Sequence, residues 1–195
     1  LEFVTTANEY VTLVEKAGIQ GLKDLIDKAH QLLPKLYFQV TQLPGVNSEY
    51  EDLNQRFVSE KDYEKVRNHL LMKFGEYDVF EEVFDANRLE GEDFIGESIS
   101  ENLADIYQDI KDFVLLYEMG TNEIMYEALW ELQQSFENYW GQKLTNTLRA
   151  LHQLRYSTEE ITENEGNRNE NANFNMPDTR NWIISRRQED YRDEE

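Results

Sequence analysis

Within SISENLADIYQDIKD (98–112), carboxylates fall at Glu101, Asp105, Asp109 and Asp112. On a helix these four positions span about 80° of one face. Like charges one turn apart cost about 0.2–0.5 kcal/mol per pair, so something should offset them. Such a row could be solvated, could meet a basic partner surface, or could hold a divalent cation through its oxygens. The helical wheel puts the row nearly opposite the apolar arc of Ile99, Leu103, Ile110 and Tyr117. Carboxylate metal sites in helical bundles project inward. A row pointing outward predicts a solvated face and no metal site, with Asp105 and Asp109 as the weak metal candidates.

EYDVFEEVFD (76–85) is a second acidic cluster. On a helix, Asp78, Glu82 and Asp85 share one face. Glu82 and Asp85 also have the E-x-x-D spacing with which all-α nucleotide pyrophosphohydrolases bind magnesium. Those enzymes need a second such pair on a facing helix, and the sequence offers no convincing partner. His30, His69 and His152 show no mutual ligand spacing and read as structural or solvated. There is no G-x-S-x-G, no phosphate loop and no glycine-rich fingerprint. No cofactor is expected.

ALWELQQSFENYWG (128–141) raises a different possibility, a surface built to hold something. On a uniform wheel, Leu129, Phe136, Trp140, Leu144, Thr147, Leu151 and Leu154 form one apolar arc, with Trp130 and Tyr139 on its edges. Gln133 falls in the middle. A buried amide left unpaired costs about 1–3 kcal/mol. Gln133 is therefore expected to be mostly buried and bonded to another helix or to segment 76–85, unless the arc opens onto a cleft. The candidate binding residues are Asp78, Glu82, Asp85, Trp130, Gln133 and Trp140.

The elements that must position these residues are helices. Apolar residues recur at helical spacing almost everywhere, and strand-like alternation is scarce. Phe3, Ala7, Tyr10, Val11 and Val14 form one stripe. A second runs from Leu22 to Leu43, with Pro34 on its far side. Ser59 to Asp62 and Ser98 to Glu101 resemble capping boxes. They open the stripes Tyr63, Val66, Leu70, Phe74 and Ile99 to Tyr117. Gly120 closes the latter, and Thr121 or Asn122 starts a final helix running to about Tyr156. These readings predict an all-α bundle of five or six helices over residues 1–156, with a long C-terminal helix. Residues 157–195 read as an Asn/Glu-rich linker and a short tail whose Trp182, Ile183 and Ile184 dock on the bundle.

Charge narrows the partners. The 195 residues carry 40 acidic and 19 basic side chains, for a net charge of −21. Such a field repels nucleic acid and anionic membrane, so neither is expected to bind directly. The chain has no cysteine, which excludes disulfides and thiolate chemistry. No apolar run approaches the roughly 20 residues of a membrane span. LEFVTTANEY has no signal-peptide pattern, and without an initiator Met it leaves room for a preceding segment. A cytoplasmic protein is expected.

In order, EYDVFEEVFD (76–85), SISENLADIYQDIKD (98–112), EALWELQQSFENYWG (127–141) and LRALHQL (148–154) resemble a bacterial family known as domain of unknown function 5063. The resemblance covers residues 60–155 well and the first two helices loosely. It departs where the family has more tryptophan after Ala-Leu-Trp, since Glu131 and Leu132 stand there. The resemblance implies a helical fold and no particular reaction. The expected function is a non-catalytic protein-binding module whose partner has a basic surface. The alternative is a metal-dependent nucleotide or phosphoester hydrolase using clustered carboxylates.

Overall fold

The computed structural model describes residues 2–47, 56–81 and 96–157. Helix α1 (Glu2–Glu15) leads through a 3₁₀ turn at Ala17–Ile19 into α2 (Leu22–Thr41). Helix α3 (Glu60–Phe74) is followed by a 3₁₀ turn at Gly75–Tyr77 and strand β1 (Val79–Glu81). Strand β2 (Gly96–Ser98) runs directly into α4 (Ile99–Glu118). Helices α5 (Asn122–Ser135) and α6 (Gly141–Arg155) are joined without a break by a π-helical turn at Phe136–Trp140. The expected all-α bundle is what forms. Glu82, Asp85 and the tail expected to dock through Trp182 lie outside the described residues.

The caps read from the sequence are in place. Ser59 Oγ accepts from the Asp62 N–H and Ser98 Oγ from the Glu101 N–H, each at 3.2 Å. Thr121 Oγ1 takes the Ile124 N–H at 3.4 Å. These bonds satisfy N–H groups that a helix start would otherwise leave unpaired. Gly120, at φ 79°, supplies the left-handed residue that turns the chain from α4 into α5.

Helix α4 is the hub. It packs against α1, α3, α5 and α6, while α1 and α6 both pack on α2. Thirteen of its twenty residues are buried, so it has no broad solvent face. Leu103, Ile106 and Ile110 are completely inaccessible. Tyr10 of α1 reaches its backbone, donating to the Leu103 carbonyl at 2.8 Å.

Two expectations fail. The helical face that would carry Asp78 does not form over the described residues 76–81, because Gly75, at φ 53°, ends α3 and Val79–Glu81 pair antiparallel with Gly96–Ser98. A glycine at positive φ stops a helix, and β-branched Val79 and aromatic Phe80 suit a strand. The acidic row of α4 does not point outward either. Glu101 is exposed, but Asp105 is only 9% exposed, and Asp109 and Asp112 are half-buried. The face opposite the apolar arc is occupied by the lead into α3 and by α5 and its π turn.

Candidate functional site

Asp78 sits at the start of α4 and is 2% exposed. Its Oδ1 accepts the Ser100 N–H at 2.7 Å. Its Oδ2 accepts the hydroxyls of Ser98 and Ser100 at 2.6 and 3.0 Å. Its own carbonyl takes the Ile99 N–H at 2.8 Å. A carboxylate on the N-terminal N–H groups of a helix is favoured by both hydrogen bonding and the helix dipole. Asp78 thereby fastens the hairpin to the hub helix.

Nearly two turns into α4, Asp105 is the acceptor at the centre of a polar knot. Tyr63 of α3 donates its hydroxyl to Oδ1 at 2.7 Å, and Tyr139 of the π turn donates to Oδ2 at 2.8 Å. Lys143 of α6 lies 2.9 Å from Oδ2 and 3.1 Å from Asn102 Oδ1. Burial raises the pKa of both phenols, and the bond to Asp105 raises it further. They stay protonated and donate. The knot joins α3, α4, the π turn and α6 through one side chain.

Asp109 and Asp112 face a cleft instead. Ser135 donates to Asp109 Oδ2 at 2.5 Å. Asp112 Oδ1 accepts the Phe57 and Val58 N–H groups at 2.8 and 2.9 Å, holding the segment that leads into α3. The cleft between α4 and α5 has a volume of about 360 Å³. Asp109, Asp112, Glu131, Trp130, Ser135 and Arg56 line it, together with apolar side chains that include Phe113 and Leu132. Burial pushes the Asp112 carboxyl up to about 6, although its two backbone donors and Arg56 pull it down. Burial also raises the pKa of Asp109, against the Ser135 bond and Arg56. Glu131 is raised by burial and by neighbouring Glu127. Three carboxyls with raised pKa values in one cleft are a functional-site signature.

The aromatic segment is divided by the π turn. Trp130 is half-buried and forms part of the cleft wall. Trp140 is fully buried in the core, its ring 4.7 Å from that of Phe136 in a T-shaped contact. Gln133 is half-buried rather than mostly buried. Its Nε2 donates to the Pro44 carbonyl at 3.1 Å and the Leu43 carbonyl at 3.5 Å, so it tethers the chain that follows α2. The buried face of α5 is Glu127, Ala128 and Leu132, not Leu129 and Gln133. The uniform wheel had the wrong phase. Leu132 and Trp140 would lie about 80° apart on an unbroken α-helix, and the extra residue of a π turn brings them to one face. Gly141 permits that turn. Its N–H donates to the Phe136 carbonyl, and a Cβ there would stand 2.5 Å from that oxygen.

Residues 1–157 match the family described as Domain of unknown function (DUF5063). The chain belongs to this family. The match takes in α1 and α2 as well as the region where the sequence resemblance is strongest. Within the solved structures, the chain is similar to protein BF1032 from Bacteroides fragilis, a structural-genomics target. The two are 37% identical, with 83% of this chain and 94% of that one covered and a TM-score of 0.72. No functionally curated protein matches the chain. Among the described residues, no helix of this family member is long and apolar enough to cross a membrane.

Of the candidates read from the sequence, Trp130 and Asp109 reach the cleft. Asp78, Asp105, Gln133 and Trp140 are placed elsewhere. Asp112 belonged to the acidic row but not to the candidate site, and Glu131 was visible only as a departure from the family pattern. Ser135 and Arg56 carry no local signal. Their place in the cleft depends on how α4 and α5 pack and on where the chain enters α3.

Proposed function

We propose that this DUF5063 protein is a non-catalytic protein-binding module, and that it recognises a basic side chain of its partner in the α4–α5 cleft. The observation that carries this reading is that three carboxyls with raised pKa values line one cleft beside Trp130. A lysine or arginine entering there would gain charge pairing with Asp109, Asp112 and Glu131. It would also meet an aromatic wall suited to a cation. Arg56, at the same cleft, already lowers the pKa of all three carboxyls, which is the electrostatic effect a partner's cation would extend.

The hydrolase alternative draws on the same raised carboxyls, since an acid–base pair needs them. Binding is preferred because a metal would have to compete with bonds already made to one oxygen of Asp109, by Ser135, and to one of Asp112, by two backbone N–H groups. Among the described residues, no three acidic or histidine side chains are placed to share an ion.

The test is a titration followed by amide and indole NMR. An arginine- and lysine-rich peptide should shift the Trp130 indole and Ser135 signals saturably. A matched glutamate-rich peptide should not. The double variant Asp109→Asn/Glu131→Gln should keep the fold and bind at least about tenfold more weakly, a loss of about 1.4 kcal/mol. Equal binding by wild type and variant would remove the cleft from consideration.

A further inference from the structure

His30 and His152 are distant in sequence and meet where the middle of α2 packs against the last turn of α6. His30 Nε2 lies 3.3 Å from His152 Nδ1. On the other side of the ring, Arg155 Nη1 lies 3.0 Å from His30 Nδ1. The Arg155 Nε is paired with Asp27 Oδ1 at 3.1 Å. Tyr156 closes the group, with its ring 4.7 Å from that of His152 and 5.9 Å from that of His30.

Donor counting fixes the protons. A guanidinium only donates, so His30 Nδ1 accepts from Arg155 and the His30 proton sits on Nε2. That N–H donates to His152 Nδ1, which leaves the His152 proton on its own Nε2. Both rings are neutral in this arrangement. A proton added to His30 Nδ1 would confront Arg155. A proton added to His152 Nδ1 would confront the His30 N–H. The same count disfavours a metal ion between the facing nitrogens. A free lone pair on His30 Nε2 would move its proton to Nδ1, against Arg155.

We propose that His30, His152, Arg155 and Asp27 form an acid-opened clasp that holds the end of α6 to α2 at neutral pH and releases it as His30 becomes protonated. The charges acting on His30 are Arg155 and His152 from α6 and Asp27 from its own helix. The other helix packed on α2 is α1, whose Glu9 pairs with Lys35 at 3.5 Å. Burial, then Arg155 and His152, lower the His30 pKa, and Asp27 partly opposes them. A lowered pKa means that the folded state binds fewer protons than the unfolded chain. The clasp's contribution is therefore complete above the ordinary histidine pKa of about 6.5 and is lost as the pH falls through the folded value.

The experiment is NMR on the intact chain. At about pH 7.5, His30 should show the Nε2–H tautomer, and its titration midpoint should lie below about 6.5. Amide protection over residues 152–156 should fall about fivefold or more between about pH 7.5 and 5, relative to residues 144–148. Arg155→Leu should move the His30 midpoint upward, toward the free value. A wild-type midpoint at or above about 6.5 would overturn the clasp. So would protection over 152–156 that follows 144–148 at every pH, or a midpoint unmoved in Arg155→Leu. The wild-type measurements decide the matter alone if that variant does not fold.

Discussion

Asp105 and Asp112 stand two turns apart on the same side of α4, and their surroundings give them opposite tasks. Asp105 receives two phenol hydroxyls and lies beside a lysine ammonium. Asp112 receives two backbone N–H groups, and burial still pushes its carboxyl up to about 6. The difference lies in the donors. A carboxylate supplied with enough donors and a cation becomes a rivet, whereas one held by fewer keeps an unmet demand for charge. That demand, turned toward a cleft, is what a partner could satisfy. Asp109 lies between the two in sequence and sides with Asp112, since it lines the cleft and its pKa is raised.

The largest effect should come from removing the rivet. Asp105→Ala would leave Tyr63, Tyr139 and Lys143 without their shared acceptor. Stripping one partner from a buried charged network costs about 3–5 kcal/mol. Urea denaturation would measure it. A loss below about 1 kcal/mol would mean that the three donors find water and that the knot is not structural.

Next comes Gly141→Ala, which attacks the geometry that brings Tyr139 to Asp105. The new Cβ would stand 2.5 Å from the Phe136 carbonyl and about 3 Å from its ring. Overpacking of this kind costs about 1–3 kcal/mol. If the π turn instead relaxes to α-helix, a crystal structure should show Tyr139 displaced from Asp105. A variant that is fully stable with the Tyr139 bond intact would contradict the role given to the glycine.

The same turn explains what was legible in the sequence. Helix caps at Ser59, Ser98 and Thr121 and the apolar stripes were legible because they depend on neighbours within a turn or two. The α5 face was not, since one extra residue in the π turn rotates everything before it relative to Trp140. The inward direction of Asp105, Asp109 and Asp112 was hidden for another reason. A wheel gives a residue's angle on its own helix but not which neighbours surround it, and α4 is surrounded by four. Arg56 and Ser135 reach the cleft only through tertiary packing. His30 and His152 likewise meet only because α2 and α6 are adjacent.

A smaller effect should appear in the pH dependence that Asp112 gives to stability. The folded carboxyl of Asp112 is raised from an ordinary value of 3.8 to about 6. Between those values the folded state holds a proton that the unfolded chain has lost. Its stabilising contribution is therefore full below about pH 4 and lost as the pH rises through about 6. Asp112→Asn cannot titrate, and its oxygen can still accept from Phe57 and Val58. Its stability relative to wild type should rise between about pH 4 and 7, by on the order of 1–2 kcal/mol. A difference that stays flat with pH would show that the donors to Asp112 fully offset its burial.

The smallest expected effect is from divalent metal, and it tests whether the cleft's demand for charge is met by a side chain or by an ion. Asp105 is a poor probe because its loss should destabilise the whole bundle, so the informative position is Asp109. Magnesium and manganese bind through carboxylate oxygens. Here one oxygen of Asp109 is engaged by Ser135, and one of Asp112 by two N–H groups. An ion would have to compete with these bonds and with the charge of Arg56. At sub-millimolar concentration, either metal should therefore raise the melting temperature by less than about 1 °C beyond a matched ionic-strength control. Asp109→Asn should respond in the same way. A saturable rise of several degrees that disappears in Asp109→Asn would mean that the cleft is a metal site. The comparison would then read differently, with Asp105 holding the fold together and Asp109 and Asp112 serving a hydrolase.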